Sequence, residues 1–131
     1  MKLTGQCKID FEKWYDNKFF PSKMMGQSVS IIDKGKLSIQ RFYSLDSSMQ
    51  YGVIVDFFDA NDIIIEITLE AYYQVHINQS WQKNNSDTLH EAREKAVEAA
   101  NNIYNQQSEE IKKGWNELEN SGLDEKFTTN D

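Results

Sequence analysis

The sequence predicts a single α+β domain, in which a small antiparallel hairpin or sheet packs against N-terminal, central and C-terminal helices. Two neighbouring segments alternate apolar and polar residues, as half-buried strands do. Other segments repeat apolar residues at helical spacing. A chain of 131 residues is long enough for one domain with its own core. Because an isolated two-stranded hairpin is marginal in water, we expect helices to cover its apolar face.

The first predicted element is an amphipathic helix from Thr4 to about Lys18. Its apolar residues recur at helical spacing, and its charged residues fall between them. Thr4 is the expected N-cap, and Pro21 cannot continue the helix. The face expected to be buried consists of Cys7, Phe11, Trp14, Tyr15 and Phe19.

The central segments of the chain do not indicate one structure. Residues 24–46 contain β-branched residues that favour a strand and a stretch that also fits a helical turn. Residues 47–61 fit either a helix, with apolar residues at every fourth position, or a strand. A helix is favoured there, because Ser47 and Gln50 match a capping box and Asn61 suits a left-handed C-terminal position.

Two strands are predicted over residues 63–69 and 73–78. In both, apolar side chains alternate with polar ones, which places them on opposite faces. Few residues separate the two segments, so an antiparallel hairpin is the natural connection. The side chains expected to be buried are those of Ile65, Ile67 and Val75, and those expected to be exposed are Glu66 and Thr68.

A polar loop from Gln82 to Asp87 and a long helix are predicted next. Thr88 and Glu91 match a second capping box. Ser121 and Gly122 end any helix, and residues 122–131 are expected to form a frayed tail. The expected buried stripe consists of Leu89, Ala92, Ala96, Ala100 and Ile103, extended by Ile111, Trp115 and Leu118.

The net charge and the first residues of the chain argue against several classes of protein. The net charge of −7 argues against direct binding to nucleic acid, which needs clustered Lys and Arg. The first residues lack the apolar run of a signal peptide, and no stretch approaches the roughly 20 apolar residues of a membrane-spanning helix. A lone cysteine suits a reducing compartment. We therefore predict a cytoplasmic protein that does not enter a membrane.

The sequence contains no pattern typical of an active site. His90 begins a stretch similar to a zinc-protease helix, but Glu94 occupies the position of the second histidine. His76 lies on the polar face of a predicted strand, and Asp56 and Asp59 lack further metal ligands. No glycine-rich phosphate loop and no nucleophilic-serine motif occurs. We therefore predict a non-enzymatic protein with no cofactor and no metal.

Two groups of residues are candidates for binding a partner protein. Tyr73 and Trp81 lie in and after the second strand, and interface centres favour such residues. The stretch from Glu109 to Asp131 is rich in acidic residues. The acidic residues fit a solvated helix face followed by a tail. The more specific alternative is an acidic surface that occupies a basic, nucleic-acid-binding groove on another protein. The acidic candidates are Glu109, Glu110, Glu117 and Glu119.

Three stretches of the chain form a familiar set. They are Lys2-Leu3-Thr4-Gly5 with Asp10-Phe11-Glu12-Lys13-Trp14-Tyr15, Ser48-Met49-Gln50-Tyr51-Gly52-Val53 with Asp56-Phe57-Phe58-Asp59, and Glu91-Ala92-Arg93 with Ala99-Ala100-Asn101-Asn102-Ile103-Tyr104-Asn105. The set resembles small uncharacterised proteins encoded by phages and prophages of gut bacteria. It touches most of the chain up to Asn105 and departs at residues 60–62, where the family pattern is nearer Ser-Val-Gly. The resemblance implies a phage-type accessory protein and carries no catalytic residue.

The leading hypothesis is a non-enzymatic phage or prophage protein that binds and modulates a protein of the bacterial host, such as a defence nuclease. It combines the resemblance with the acidic balance of the chain, and the link from family to function is by association. One alternative is a small metal-dependent enzyme that uses Asp56, Asp59 and His90. Another is a structural or assembly component that works as a homo-oligomer.

Overall fold

The computed structural model describes residues 1–19 and 39–119 of the chain. Helix α1 spans Gly5–Phe19, residues 39–44 are helical and are labelled α2, and helix α3 spans Ser47–Ala60. Three strands follow, β1 (Ile65–Leu69), β2 (Tyr73–Ile77) and β3 (Ser80–Ser86), and helix α4 (Leu89–Glu117) comes last. The predicted α+β class is confirmed: the fold combines a small antiparallel sheet with N-terminal, central and C-terminal helices.

The strands are ordered β1-β2-β3, and both neighbouring pairs are antiparallel. The predicted hairpin of β1 and β2 is confirmed, with Ile67 opposite Val75. The prediction of a polar loop from Gln82 to Asp87 is wrong, because Ser80–Ser86 forms the third strand. This strand is polar and lacks a regular alternation of apolar and polar residues. Backbone pairing with β2 holds it in place, so it does not need a row of buried apolar side chains.

The connection from β2 to β3 is a two-residue turn at Asn78 and Gln79. Their φ values are 51° and 69°, and a type I′ hairpin turn requires positive φ at both positions. Asn78 also ties the turn to the start of β1, because its Oδ1 accepts a hydrogen bond from the Ile64 backbone N–H at 2.8 Å. Asparagine adopts positive φ more readily than most residues. Asn78 is therefore the sequence feature that indicates this turn.

One face of the sheet lies under α4. Val75 on the central strand β2 is buried, as predicted. Ile65 and Ile67 on β1 are half-buried rather than buried, which corrects the prediction. Helix α4 packs most closely on β2 and covers the edge strand β1 less completely. Glu66 and Thr68 are exposed, as predicted.

The sheet, α1 and α3 all pack against α4. This helix has 29 residues, so it is roughly 43 Å long. The Thr88 hydroxyl caps it by accepting a hydrogen bond from the Glu91 backbone N–H at 3.1 Å. The Glu91 carboxylate pairs with Lys95 at 3.1 Å, so one half of the predicted capping box forms. Although α4 is long, neither it nor another described helix is apolar enough along its length to cross a membrane.

The stripe predicted along α4 is buried in its middle. Ala92, Ala96 and Ala100 are fully buried. Small side chains at these positions let the neighbouring elements approach the helix closely. Leu89 is exposed and Ile103 is half-buried, so the ends of the stripe are covered less than predicted.

The helix favoured for residues 47–61 is confirmed as α3. The left-handed residue after it is Asp62, with a φ of 61°, rather than Asn61, with a φ of −109°, so the predicted position moves by one residue. Asp56 and Asp59 are exposed, as the helix interpretation expects. The side chains that α3 buries are Gln50, Ile54, Phe57 and Phe58.

The start of α3 differs from the predicted capping box. Asp46 precedes the helix and makes no side-chain capping bond, and Ser47 is the first helical residue. The Gln50 amide Nε2 instead donates to the backbone carbonyls of Tyr43 and Leu45, at 3.1 and 3.0 Å. Gln50 therefore binds carbonyl groups of the preceding turn and does not cap the start of its own helix.

Two asparagines on neighbouring turns of α4 hold the start of α1. The Thr4 backbone N–H donates to Asn101 Oδ1, and Asn101 Nδ2 donates to Thr4 Oγ1, both at 2.9 Å. Asn105 Nδ2 donates to the Thr4 carbonyl at 3.0 Å, and Asn105 Oδ1 accepts from the Cys7 backbone N–H at 2.8 Å. The prediction that the Thr4 side chain caps α1 is therefore corrected, because the cap of Cys7 comes from α4. We call Thr4, Asn101 and Asn105 the asparagine clamp.

Gly5 lies beside the asparagine clamp and has a φ of 61°. A Cβ at this position would lie 3.1–3.3 Å from atoms of the Asn105 side chain. Both the left-handed backbone and the close approach of Asn105 favour glycine here.

Phe11 on α1 lies at the centre of an aromatic cluster. Its ring centroid is 4.9 Å from that of Phe42 on α2 and 5.4 Å from that of Phe57 on α3. Phe57 in turn lies 5.5 Å from Tyr104 on α4. Tilted and edge-on ring pairs at these separations add to the stabilisation from burial. The cluster joins the four described helices around one buried ring.

Several predictions fall outside the described residues. They concern residues 24–38, the side chain of Phe19, the helix stop at Ser121 and Gly122, and the frayed tail at 122–131.

The first test concerns the clamp. We expect Gly5→Ala to lower the free energy of unfolding by about 1–3 kcal/mol, because alanine is strained at positive φ and meets Asn105. Gly52→Ala is the matched control: a Cβ there meets nothing within 4 Å inside α3. That change should raise the free energy of unfolding by about 0.5–1 kcal/mol. Urea melts of both variants measure the difference, and equal shifts would contradict the role given to Gly5.

Candidate functional site

The last turns of α4, with the two residues that follow it, carry almost only exposed side chains. From Glu109 to Glu119 every residue is exposed except Gly114. At about 1.5 Å per residue this segment is roughly 16 Å long. Leu118 keeps helical angles, with φ −64° and ψ −42°. We call the segment from Glu109 to Glu119 the α4 end.

Three large apolar side chains lie along one side of the α4 end. Ile111, Trp115 and Leu118 follow one another at spacings of four and three residues, which places them on one helix face. Their exposed fractions are 62%, 63% and 53%. The sequence predicts them as an extension of the buried stripe, and the helix does continue through them, but they stay outside the core. We call these three residues the apolar stripe.

The acidic candidates lie on the same part of the helix. Glu109, Glu110, Glu117 and Glu119 are all exposed. The last turn of α4 contains no basic residue. Carboxylates close to the C-terminus of a helix interact unfavourably with its dipole, so the dipole does not account for Glu117 and Glu119. We call the four glutamates the acidic flank.

Tyr73 and Trp81, the other partner-binding candidates, do not form a common surface. Trp81 is 49% exposed and lies on β3 opposite His76. Tyr73 is half-buried and packs against the core, on the side of β2 that carries Val75. Because successive side chains of a strand alternate between faces, Tyr73 and His76 lie on opposite faces. Trp81 therefore belongs to the outer face of the sheet and Tyr73 to the covered face.

The residues of the metal-dependent alternative do not assemble into a site. His90 pairs through Nε2 with Glu94 at 2.9 Å, and both side chains are exposed. Asp56 and Asp59 are exposed on α3. Within residues 1–19 and 39–119, no three His, Cys, Asp or Glu side chains lie close enough together to hold a metal ion. His76 Nε2 lies 3.3 Å from the hydroxyl of Thr68, a neutral partner.

A polar cluster lies where α1 meets α4. The Tyr104 hydroxyl donates to Asp10 Oδ2 at 2.6 Å, and Gln6 Nε2 donates to Asp10 Oδ1 at 2.7 Å. Burial, with the hydrogen bond to Asp10 as a second cause, raises the pKa of the Tyr104 phenol. The phenol therefore stays protonated and remains a donor to the Asp10 carboxylate.

Cys7 lies beside this cluster as a free, fully buried thiol. Burial, with the nearby Asp10 carboxylate adding to it, raises the pKa of the thiol to about 12. The thiolate is the reactive form of cysteine. In the folded protein Cys7 is therefore a small apolar side chain of the core and not a nucleophile.

A cleft of about 440 Å³ opens at the base of the α4 end. Its walls come from α1, from the residue after α3 and from α4. Tyr104, Ser108 and Ile111 belong to the α4 wall. Ser108 follows Tyr104 by four residues and Ile111 follows Ser108 by three, and the apolar stripe continues this spacing. We call this the basal cleft, and it is lined by Gln6, Asp10, Asn61, Tyr104, Gln107, Ser108, Ile111 and Lys112. Sequence periodicity does not reveal the cleft, because its walls come from three separate parts of the chain.

The reactivity of Cys7 provides a test of the packing around α1. At pH 8 we expect a thiol reagent to modify the native protein at least about 100-fold more slowly than the urea-unfolded chain, since the pKa of Cys7 is raised and the side chain is buried. Rapid modification of the native protein at the same pH would contradict the buried position of Cys7.

Divalent metals provide a test of the enzyme alternative. We expect Mg²⁺, Mn²⁺ and Zn²⁺ to leave the thermal midpoint unchanged, because a metal that binds the native state must raise it and the described residues contain no group of three ligands. A rise with Zn²⁺ that disappears in His90→Ala would favour the metal-dependent alternative instead.

Comparisons with protein-family models, with curated proteins and with solved structures gave no match to this chain. No family is therefore assigned. Within the described part of the chain, the exposed features that bear on function include the acidic flank, the apolar stripe, the basal cleft and the outer face of the sheet at Trp81. Another cleft, of about 580 Å³, is lined by Met1, Lys2, Thr4, Glu94, Glu98, Asn101 and Asn102.

Proposed function

We propose that the protein works without catalysis, in the cytoplasm of a bacterial host, by binding a host protein through the acidic flank. The observation that supports this most strongly is the exposure of all four glutamates on the α4 end. A fixed helix holds these charges in a constant arrangement, which reduces the ordering cost of binding.

Two of the four glutamates of the acidic flank are placed unfavourably for the helix dipole. Glu117 and Glu119 lie at the end of α4 where the helix dipole disfavours negative charge. Glu109 and Glu110 are also exposed, and they precede Lys112 and Lys113 by two to four residues, so Glu109 has the spacing of a favourable helical ion pair. Carboxylates placed against the helix dipole and outside the core are a local departure of the kind that occurs at functional sites.

The partner that suits this surface carries a basic groove. Rows of carboxylates on a helix present negative charge as the phosphates of nucleic acid do, so a nucleic-acid-binding host protein, such as a defence nuclease, has the complementary charge. Occupation of such a groove would inhibit the nuclease. The resemblance to phage and prophage proteins implies an accessory protein, and by association a target in the host.

Charge reversal tests this proposal. Proteins captured from a bacterial lysate by the native chain, and displaced from it by duplex DNA, are purified and their association rates measured. We expect the change of Glu109, Glu110, Glu117 and Glu119 to Lys to slow association by an order of magnitude or more, because electrostatic steering is lost. Association of the native chain should also slow steeply as salt rises.

The matched control moves the same change of charge to another surface. Asp56, Asp59, Glu66 and Glu70 are exposed residues of α3 and the sheet region, and their change to Lys alters the net charge of the chain by the same amount. This control should associate much faster than the α4-end variant. An association rate that responds neither to salt nor to reversal at the α4 end would exclude the acidic flank as the binding surface.

A further inference from the structure

We infer that the basal cleft binds a small zwitterion, a molecule of the amino-acid class whose ammonium group lies at Asp10 and whose carboxylate lies at Lys112. Both residues line the cleft. Within residues 1–19 and 39–119 neither of them forms an ion pair, with the other or with a third residue. The inference does not depend on the proposed function, because it does not involve the acidic flank.

The Asp10 carboxylate is held in place at the wall formed by α1. Its Oδ2 accepts a hydrogen bond from the Tyr104 hydroxyl at 2.6 Å, and its Oδ1 accepts one from Gln6 Nε2 at 2.7 Å. The Tyr104 ring packs against Phe57 in the aromatic cluster, so this donor belongs to a fixed side chain. Both donors are neutral and leave the charge of the carboxylate in place. Each carboxylate oxygen has two lone pairs, so Asp10 can also accept hydrogen bonds from a ligand.

Two amide side chains beside Asp10 add further acceptors to the cleft. Asn61 Nδ2 donates to the Phe57 carbonyl at 2.8 Å, and Gln6 Nε2 donates to Asp10. Neither amide oxygen accepts a hydrogen bond from the described part of the chain. An ammonium group has three N–H donors and no acceptor. A carboxylate with two amide oxygens nearby therefore suits an ammonium group rather than an anion.

Lys112 brings a positive charge to the same cleft. Its side chain is exposed, and it does not pair with Asp10 although both line the cleft. Two opposite charges that share a cleft without pairing are both satisfied by a molecule that carries an ammonium group at one end and a carboxylate at the other. A simple amine or a simple carboxylate satisfies one of these charges and is repelled by the other.

The dimensions of the cleft suit a ligand with a short chain between its charges. The volume of about 440 Å³ lies within the range of small-molecule sites. Tyr104, which holds Asp10, and Lys112 are separated by about 12 Å along the axis of α4. Ile111 also lines the cleft and offers apolar contact to methylene groups. An ω-amino acid such as ε-aminocaproate has this form, with one charge at each end of an apolar chain.

Titration calorimetry of the full chain with ε-aminocaproate tests the inference. A ligand of this size should bind with a dissociation constant on the order of 1 mM, and it should raise the thermal midpoint, as any ligand of the native state does. Caproate lacks the ammonium group and hexylamine lacks the carboxylate. Both should bind at least about tenfold more weakly, because each meets a like charge in the cleft.

Two single substitutions test the residues. Asp10→Asn removes the negative charge and keeps an oxygen that accepts from Tyr104, and Lys112→Gln removes the positive charge at an exposed position. Each should weaken the binding of ε-aminocaproate at least about tenfold, because a charge-assisted hydrogen bond is lost. Lys113→Gln is the matched control, since Lys113 is exposed and lies outside the lining of the cleft. It should leave binding unchanged, and circular dichroism verifies that each variant keeps its helices.

Two results would overturn the inference. One is the absence of both binding heat and a midpoint shift at about 100 times the expected dissociation constant. The other is binding that Lys112→Gln leaves intact, or that caproate and hexylamine reproduce. Loss of host-protein association after charge reversal at the acidic flank, with binding of ε-aminocaproate retained, would contradict the proposed function and support this inference.

Discussion

The structure depends on the asparagine clamp, which joins the start of α1 to the middle of α4. Its hydrogen bonds connect positions 97 to 101 residues apart in the sequence. They satisfy backbone groups in the first turn of α1, where it lies against α4. Without these bonds the groups would be left without partners, and an unpaired buried polar group lowers stability. With its start fixed in this way, α1 directs Phe11 into the ring cluster with Phe42 and Phe57. A local cap would hold α1 as a helix but would not fix its position on α4.

The clamp also divides α4 into two parts with different tasks. Up to Asn105 the helix serves the core, with buried alanines under the sheet and the two asparagines on α1. Beyond Ser108 the same helix leaves its neighbours, and its side chains are exposed. Because the first part is anchored by the core, the continuous helix holds the second part in line with it. A surface held in this way is pre-organised, so a partner that bound it would cost less conformational entropy.

The elements with a regular pattern were predictable from the sequence, and those defined by pairing or by distant contacts were not. The hairpin of β1 and β2 follows from alternation, and the cap of α4 follows from Thr88 three residues before Glu91. Strand β3 lacks a buried apolar row, so only the turn at Asn78 indicates it. The cap of α1 comes from Asn105, which no local pattern reveals. The glutamates of the acidic flank were singled out from charge alone, whereas the exposure of the apolar stripe was not, because periodicity does not distinguish a core face from an uncovered one.

The acidic flank and the apolar stripe lie on one helix, and salt acts on them differently. Attraction between exposed carboxylates and a basic surface weakens as the Debye length shortens, whereas the contact of apolar side chains depends on the area that is buried. A partner held by the acidic flank alone would therefore dissociate as salt rises, and one that also covered Ile111, Trp115 and Leu118 would be retained. The physical basis of this difference is geometric: the carboxylates and the exposed apolar side chains are parts of one helix, so a partner that contacts one of these surfaces lies close to the other.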